Sequence, residues 1–196
     1  GAGQIRMGTA GAGPRAFLGD VGSADTESVV SVALDKAPAG GDTYITLGAR
    51  RVGNSEYRLK ARFMPDQVML YLTRLVDNTE TTLASANVTG AGPFALGDVF
   101  RLRFVVDGTS LKGRAWRVGQ TEPTTWQVST TDSTPSLSGP GSLGLQAYAT
   151  GSITNAPLRS MKPNSLPTRT GARPSAPKAR ASRNCRGMLS CPSRSM

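Results

Sequence analysis

The stretch Tyr57–Phe63 reads Tyr-Arg-Leu-Lys-Ala-Arg-Phe, and no other feature constrains the fold of this chain as much. Tyr57, Leu59, Ala61 and Phe63 alternate with Arg58, Lys60 and Arg62. A helix cannot sort such a period of two onto separate faces. An extended strand can, because successive side chains point to opposite sides. One face is then dry and the other wet.

The pattern recurs along the chain. Ser28–Leu34 is rich in β-branched residues between Asp25 and Asp35, and Thr43–Val52 alternates around Tyr44. Val68–Val76 follows a Pro65-Asp66 turn signal, and Asp77-Asn78 leads into Thr79–Ala84. Val99–Val106 sets Arg101 and Arg103 against Leu102 and Phe104; Asp107-Gly108 then turns the chain into Leu111–Val118. Asp-Gly between two alternating runs is a hairpin signal, because both residues tolerate positive φ. Trp126–Thr131 and Ser142–Tyr148 close the series. Roughly nine or ten short strands, with no capped helical stripe between them, predict an all-β antiparallel sandwich or barrel.

At 196 residues the chain is long enough for one self-sufficient core. No apolar run approaches the ~18 residues that span a bilayer, and the opening is not expected to be a signal peptide. The chain contains no histidine, which excludes His-based triads and His-containing zinc sites. Its net charge of +10 is unevenly distributed. Nine of the 23 basic residues, and none of the 13 acidic ones, lie in 158–196, so the body carries fourteen basic against thirteen acidic residues. A nearly neutral domain is followed by a cationic tail rich in Pro and Ser. With no aromatic residue for base stacking, that tail reads as a solvated, disordered appendage rather than a nucleic-acid arm. Cys185 and Cys191 both fall there, and two thiols without histidine cannot complete a tetrahedral zinc site.

Several motifs, taken in order, resemble the concanavalin A-like lectin/glucanase (LamG-like) jelly roll of actinobacterial secreted proteins and actinophage minor tail proteins. They are Tyr44–Arg51, Glu56-Tyr57-Arg58, Leu70–Leu83, Phe100–Val105, Ala115-Trp116, Glu122-Pro123 with Trp126, Thr131-Asp132-Ser133, Gly141–Tyr148 and Thr154–Pro157. The resemblance implies a two-sheet antiparallel β-sandwich over 17–157, after a Gly/Ala-rich segment at 1–16 and before the disordered tail at 158–196. It also implies a closing strand with Phe-Asp-Asp or Phe-Asp-Glu, where this chain has Leu158-Arg159-Ser160-Met161. Permitted codons for Leu158–Ser165, read from their third base, encode Pro-Phe-Asp-Glu-Ala-Glu-Leu. The tail is therefore expected to be a frameshifted reading, and loss of the closing strand is expected to leave an exposed sheet edge.

The resemblance further implies a non-enzymatic binding or adhesion module that takes a glycan or cell-surface polysaccharide. The parent would be a larger extracellular bacterial surface protein or a phage tail protein, at the cell surface or in the virion tail. One alternative is a structural tail component or spacer without a ligand. The other is an accessory or remnant glycoside hydrolase domain. Hydrolases of this fold carry a Glu-x-Asp-x-x-Glu run on an inner strand; this chain has none, and Glu56 and Glu122 are isolated. No catalytic or metal-ligating set and no cofactor is read, and calcium held by loop carbonyls is not legible in a sequence. Trp116, Trp126, Tyr148 and Tyr57 are the candidate ligand-binding residues, as flat amphipathic surfaces on which a sugar can stack. Trp116 and Trp126 also suit core or turn-anchoring positions. Arg50, Arg51 and Glu56 read as a surface ion pair of small worth.

Overall fold

A computed structural model describes residues 3–161. Twelve strands form two six-stranded antiparallel sheets, a jelly-roll sandwich. In chain order they are β1 (Gln4–Met7), β2 (Arg15–Ser23), β3 (Thr26–Leu34), β4 (Thr43–Val52), β5 (Ser55–Phe63) and β6 (Val68–Val76). The remainder are β7 (Thr79–Asn87), β8 (Val99–Asp107), β9 (Ser110–Arg117), β10 (Val128–Thr131), β11 (Gly141–Ala149) and β12 (Leu158–Met161). The first sheet runs β1-β12-β3-β8-β9-β10 and the second β2-β11-β4-β5-β6-β7.

The alternation seen in the sequence sets which side of each strand is dry. On β5, Tyr57, Leu59, Ala61 and Phe63 are all at most 1% exposed and face the opposite sheet. Leu70 and Leu72 of β6 and Leu102, Phe104 and Val106 of β8 do the same. Phe63 meets Phe94 and Phe100 edge to face, each pair with ring centroids 5.5 Å apart. Each such side chain contributes about 1.5–3 kcal/mol by leaving water, with a further ~0.5–1.5 kcal/mol for each aromatic pair. The turns also follow the sequence. Asp77 and Asn78, at φ 47° and 67°, join β6 to β7, and Gly108, at φ 54°, turns β8 into β9.

The sandwich reaches beyond the expected 17–157 limits at both ends. Met7 of β1 is fully buried, so the Gly/Ala-rich opening contributes to the core. At the other end the expected exposed edge does not form, because β12 lies between β1 and β3. Leu158 is fully buried and the Arg159 backbone N–H donates to Asp35 Oδ1 at 2.7 Å. The run Leu-Arg-Ser keeps an apolar–polar–small alternation that a strand can use. The rest of the basic tail, with Cys185 and Cys191, lies outside the described residues.

Arg50 is 3% exposed and is no surface residue. Its guanidinium donates to the carbonyls of Ala24, of Leu137 (3.0 Å) and of Gly108 (2.7 Å), and to Asp25 Oδ1 (3.2 Å). It thereby ties three loops to one end of the sandwich, since a buried guanidinium needs acceptors on every side. Nearby, the Tyr57 hydroxyl donates to Asp132 Oδ1 at 2.6 Å, and Arg74 reaches Asp132 Oδ2 at 2.9 Å. Burial and the bond to Asp132 push the Tyr57 phenol up to about 12.

Candidate functional site

Residues of the opposite parity cover the outer face of the β2-β11-β4-β5-β6-β7 sheet. Strand β5 lays Glu56, Arg58, Lys60 and Arg62 along it, with Tyr44 and Thr46 of β4 on one side and Tyr71 and Thr73 of β6 on the other. One end of this row is sealed. Glu56 and Arg58 are 3% and 5% exposed and form an ion pair, with Arg58 Nε donating to Glu56 Oε1 at 2.7 Å. Arg51 stands 3.9 Å from the same oxygen, with its guanidinium 4.0 Å from the centroid of the Phe17 ring. Gly48 makes room for this carboxylate, because a Cβ there would stand 2.5 Å from Glu56 Oε2. So Glu56 is not on the surface; it keeps the expected contact with Arg51 at long range, while its close partner is Arg58 and not Arg50.

The other end of the row is open. A shallow pocket of about 250 Å³ lies between Tyr44 on β4, Lys60 and Arg62 on β5, Tyr71 and Thr73 on β6, and Glu80 and Thr82 on β7. Lys60 Nζ donates to both oxygens of Glu80, at 3.0 and 3.1 Å, and lies 5.2 Å from the Tyr44 ring centroid. Thr73 Oγ1 donates to Glu80 Oε1 at 2.6 Å, and Arg58 approaches the same oxygen at 3.4 Å. Burial pushes the Glu80 carboxyl up. The hydrogen bonds from Thr73 and Lys60, with the charges of Lys60 and Arg58, outweigh that and hold it below its ordinary value. Arg62 is set by Asp42, which accepts from Nε at 2.9 Å and Nη2 at 2.5 Å, while Nη1 donates to the Tyr71 hydroxyl at 3.3 Å. Tyr148 of β11 extends the aromatic wall, its ring 6.1 Å from that of Tyr44. Among the described residues no group of His, Cys, Asp and Glu is placed to hold a metal.

The four residues singled out from sequence are not brought together. Tyr148 shares the pocket's face. Tyr57 is 1% exposed between the sheets, where no ligand can stack on it; its parity matches Leu59 and Phe63, and the sequence already carried that signal. Trp116 and Trp126 belong to the outer face of the other sheet. Trp116 is 6% exposed, and Trp126 packs on Arg114 at 4.3 Å. Tyr44, Lys60, Arg62, Tyr71 and Glu80 were missed as a group, although they come from four consecutive strands joined by hairpins. Their wet parity and the turns between the strands were the available signals, and neither tells which cations stay uncovered.

The chain matches no protein-family profile and no curated protein by sequence. Solved structures give the fold. It is similar to the carbohydrate binding module CBM66 from Bacillus subtilis (12% identity, TM-score 0.55), over 80% of this chain and 82% of that one. It is likewise similar to a glycoside hydrolase family 16 endo-glucanase from Bacteroides ovatus (10% identity, TM-score 0.55), over 81% and 79%. A third similar structure is the CBM2 module of the evolved Dit of Lactobacillus casei BL23 phage J-1 (11% identity, TM-score 0.52), over 78% and 70%. The sandwich is concanavalin A-like, a fold these carbohydrate-binding modules share with a glucanase.

Proposed function

We propose that this chain is a non-enzymatic glycan-binding module of an extracellular bacterial surface protein or a phage tail protein, and that the open pocket beside Tyr44, Lys60 and Glu80 is its site. One observation carries the reading: an open pocket in which tyrosine rings stand beside fixed charged groups. Sugars are recognised by that combination, with C–H faces on aromatic rings and hydroxyls on charge-assisted hydrogen bonds. The carbohydrate-binding modules of similar fold support it, and the phage module among them lends weight to a tail setting.

Two features favour binding over hydrolysis. A glycosidase pairs a carboxylate with a carboxylic acid whose pKa is raised. On this face Glu80 is held low, and the Glu56 carboxylate is buried against Arg58. The test is a glycan-array screen of the full chain, with and without calcium, alongside an assay for new reducing ends. Saturable binding without hydrolysis is expected. Hydrolysis abolished by Glu80→Gln would replace the reading with a hydrolase, and silence from a folded sample would leave a spacer.

A further inference from the structure

The charged lining groups with hydrogen-bonding capacity to spare are donors, beside the hydroxyls of Tyr44 and Thr82, which can donate or accept. Among the described residues Glu80 is the one carboxylate lining the pocket, and its oxygens already accept from Thr73 and Lys60. The Tyr71 hydroxyl accepts from Arg62 and points its own hydrogen at Met69 Sδ, 3.3 Å away. On the donor side, Arg62 places three N–H groups on Asp42 and Tyr71 out of the five a guanidinium carries. Lys60 directs its ammonium at a single carboxylate, although it has three protons to give. Both side chains are partly open to solvent, at 22% for Lys60 and 32% for Arg62. Asp42 is not among the lining residues; it sits against the guanidinium and fixes its plane. Each of the two cations thus has one carboxylate partner, Glu80 for Lys60 and Asp42 for Arg62, and each keeps N–H donors that this partner does not use.

A neutral sugar would meet those charged donors with hydroxyl and ring oxygens, each a weaker partner for a cation than a carboxylate oxygen. A carboxylate brings acceptors alone and one negative charge. Its planar pair of oxygens also matches a guanidinium edge. Resting on the reading of this pocket as a glycan site, we infer that its ligand is an acidic sugar, a uronic acid residue whose carboxylate is received by Arg62 and Lys60 while its ring lies against the tyrosine wall.

The experiment is isothermal titration of the full chain with polygalacturonate, alginate and hyaluronan, each against its carboxyl-reduced counterpart. Poly-glutamate serves as a polyanion without sugar, because the basic C-terminal stretch can bind any polyanion. At least one uronate polymer should bind at least tenfold more tightly than its reduced form and than poly-glutamate. Arg62→Gln and Lys60→Gln should each weaken that binding tenfold or more, with unchanged thermal midpoints. Glu80→Gln should raise that affinity, since it removes the carboxylate that competes for Lys60 and repels the ligand's own. Equal binding of a polymer and its reduced form, or binding to neutral glycans alone, overturns the acidic-sugar inference and leaves the glycan reading intact. Affinity that survives Arg62→Gln and Lys60→Gln alike, or that poly-glutamate matches, assigns the polyanion to the basic stretch and also overturns it. A folded chain that binds no glycan removes both.

Discussion

The two outer faces of the sandwich begin from the same sequence pattern and end differently. Strand β5 presents Arg58, Lys60 and Arg62 to one side; β8 and β9 present Arg101, Arg103, Lys112 and Arg114 to the other. On the β8–β9 face the chain folds back over its own cations. From the segment between β9 and β10, Glu122 pairs with Arg103 at 2.8 Å and Arg114 at 2.5 Å, and the Pro123 carbonyl accepts from Arg114 at 2.6 Å. Trp126 stacks on Arg114, and Glu27 takes another edge of Arg103. Arg103 and Arg114 are covered, and Trp126 anchors the covering segment. On the β5 face no comparable segment returns among the described residues, and the same kind of residues line an open pocket. A row of alternating cations therefore says little about function until one knows what covers it.

The largest expected effect is at the sealed end of the open face. Arg58→Met strands the buried Glu56 carboxylate and should cost about 3 kcal/mol, read from the denaturant midpoint. A loss below about 1 kcal/mol would mean that Glu56 is well solvated, and the distinction between its sealed and open ends would go. Next come two aromatic substitutions that should separate the faces. Tyr44→Ala should reduce glycan affinity tenfold or more, about 1.4 kcal/mol, whereas Trp126→Ala should leave it within twofold. The reverse result would move the site to the β8–β9 face. Glu122→Gln, which loosens the covering segment, should cost about 1 kcal/mol because its partners are partly solvated, with a red shift of tryptophan emission and no change in binding.

The interior between the faces has its own signature in pH. Tyr57, raised in the folded state to about 12, contributes stability that is full below about pH 10 and is lost as pH climbs through 12. Asp132 behaves oppositely. Burial pushes its carboxyl up, but bonds from Thr134 and Tyr57 and the charge of Arg74 hold it below its ordinary 3.8. Its contribution is present above that value and is lost as pH falls through the folded one. Tyr57→Phe should cost about 1 kcal/mol at neutral pH and shrink the alkaline loss to the part carried by Tyr44, whose phenol is also raised by burial. A wild-type alkaline limb surviving in that variant would show that another group carries it.

Much of the sandwich was legible beforehand. The limits of β4 and β6 agree with the runs Thr43–Val52 and Val68–Val76, and Asp107-Gly108 lies at its expected turn. These features rest on local alternation and turn chemistry. What escaped were β1 and β12, whose alternation spans only four residues, and β2, which is nearly all exposed, so no period long enough marks them. The site was less legible. Residue type drew attention to Trp116 and Trp126, whereas the pocket depends on which strands neighbour one another.

By itself the sequence pattern determined that the chain is all-β and antiparallel, a sandwich or a barrel, and which side of its alternating strands faces the core, since a period of two is a property of each strand alone. It also determined that both outer faces would carry cations. Only the tertiary structure decided that one of them stays open. Pairing of β4, β5, β6 and β7 brings Tyr44, Lys60, Tyr71 and Glu80 side by side, and the segment ending at Trp126 covers Arg103 and Arg114 on the opposite face. The β4–β7 pairings are hairpins that local turns can set, but the pairing of β3 with β8 and of β4 with β11, and the return of Glu122 onto Arg103, join distant parts of the chain that no local pattern links.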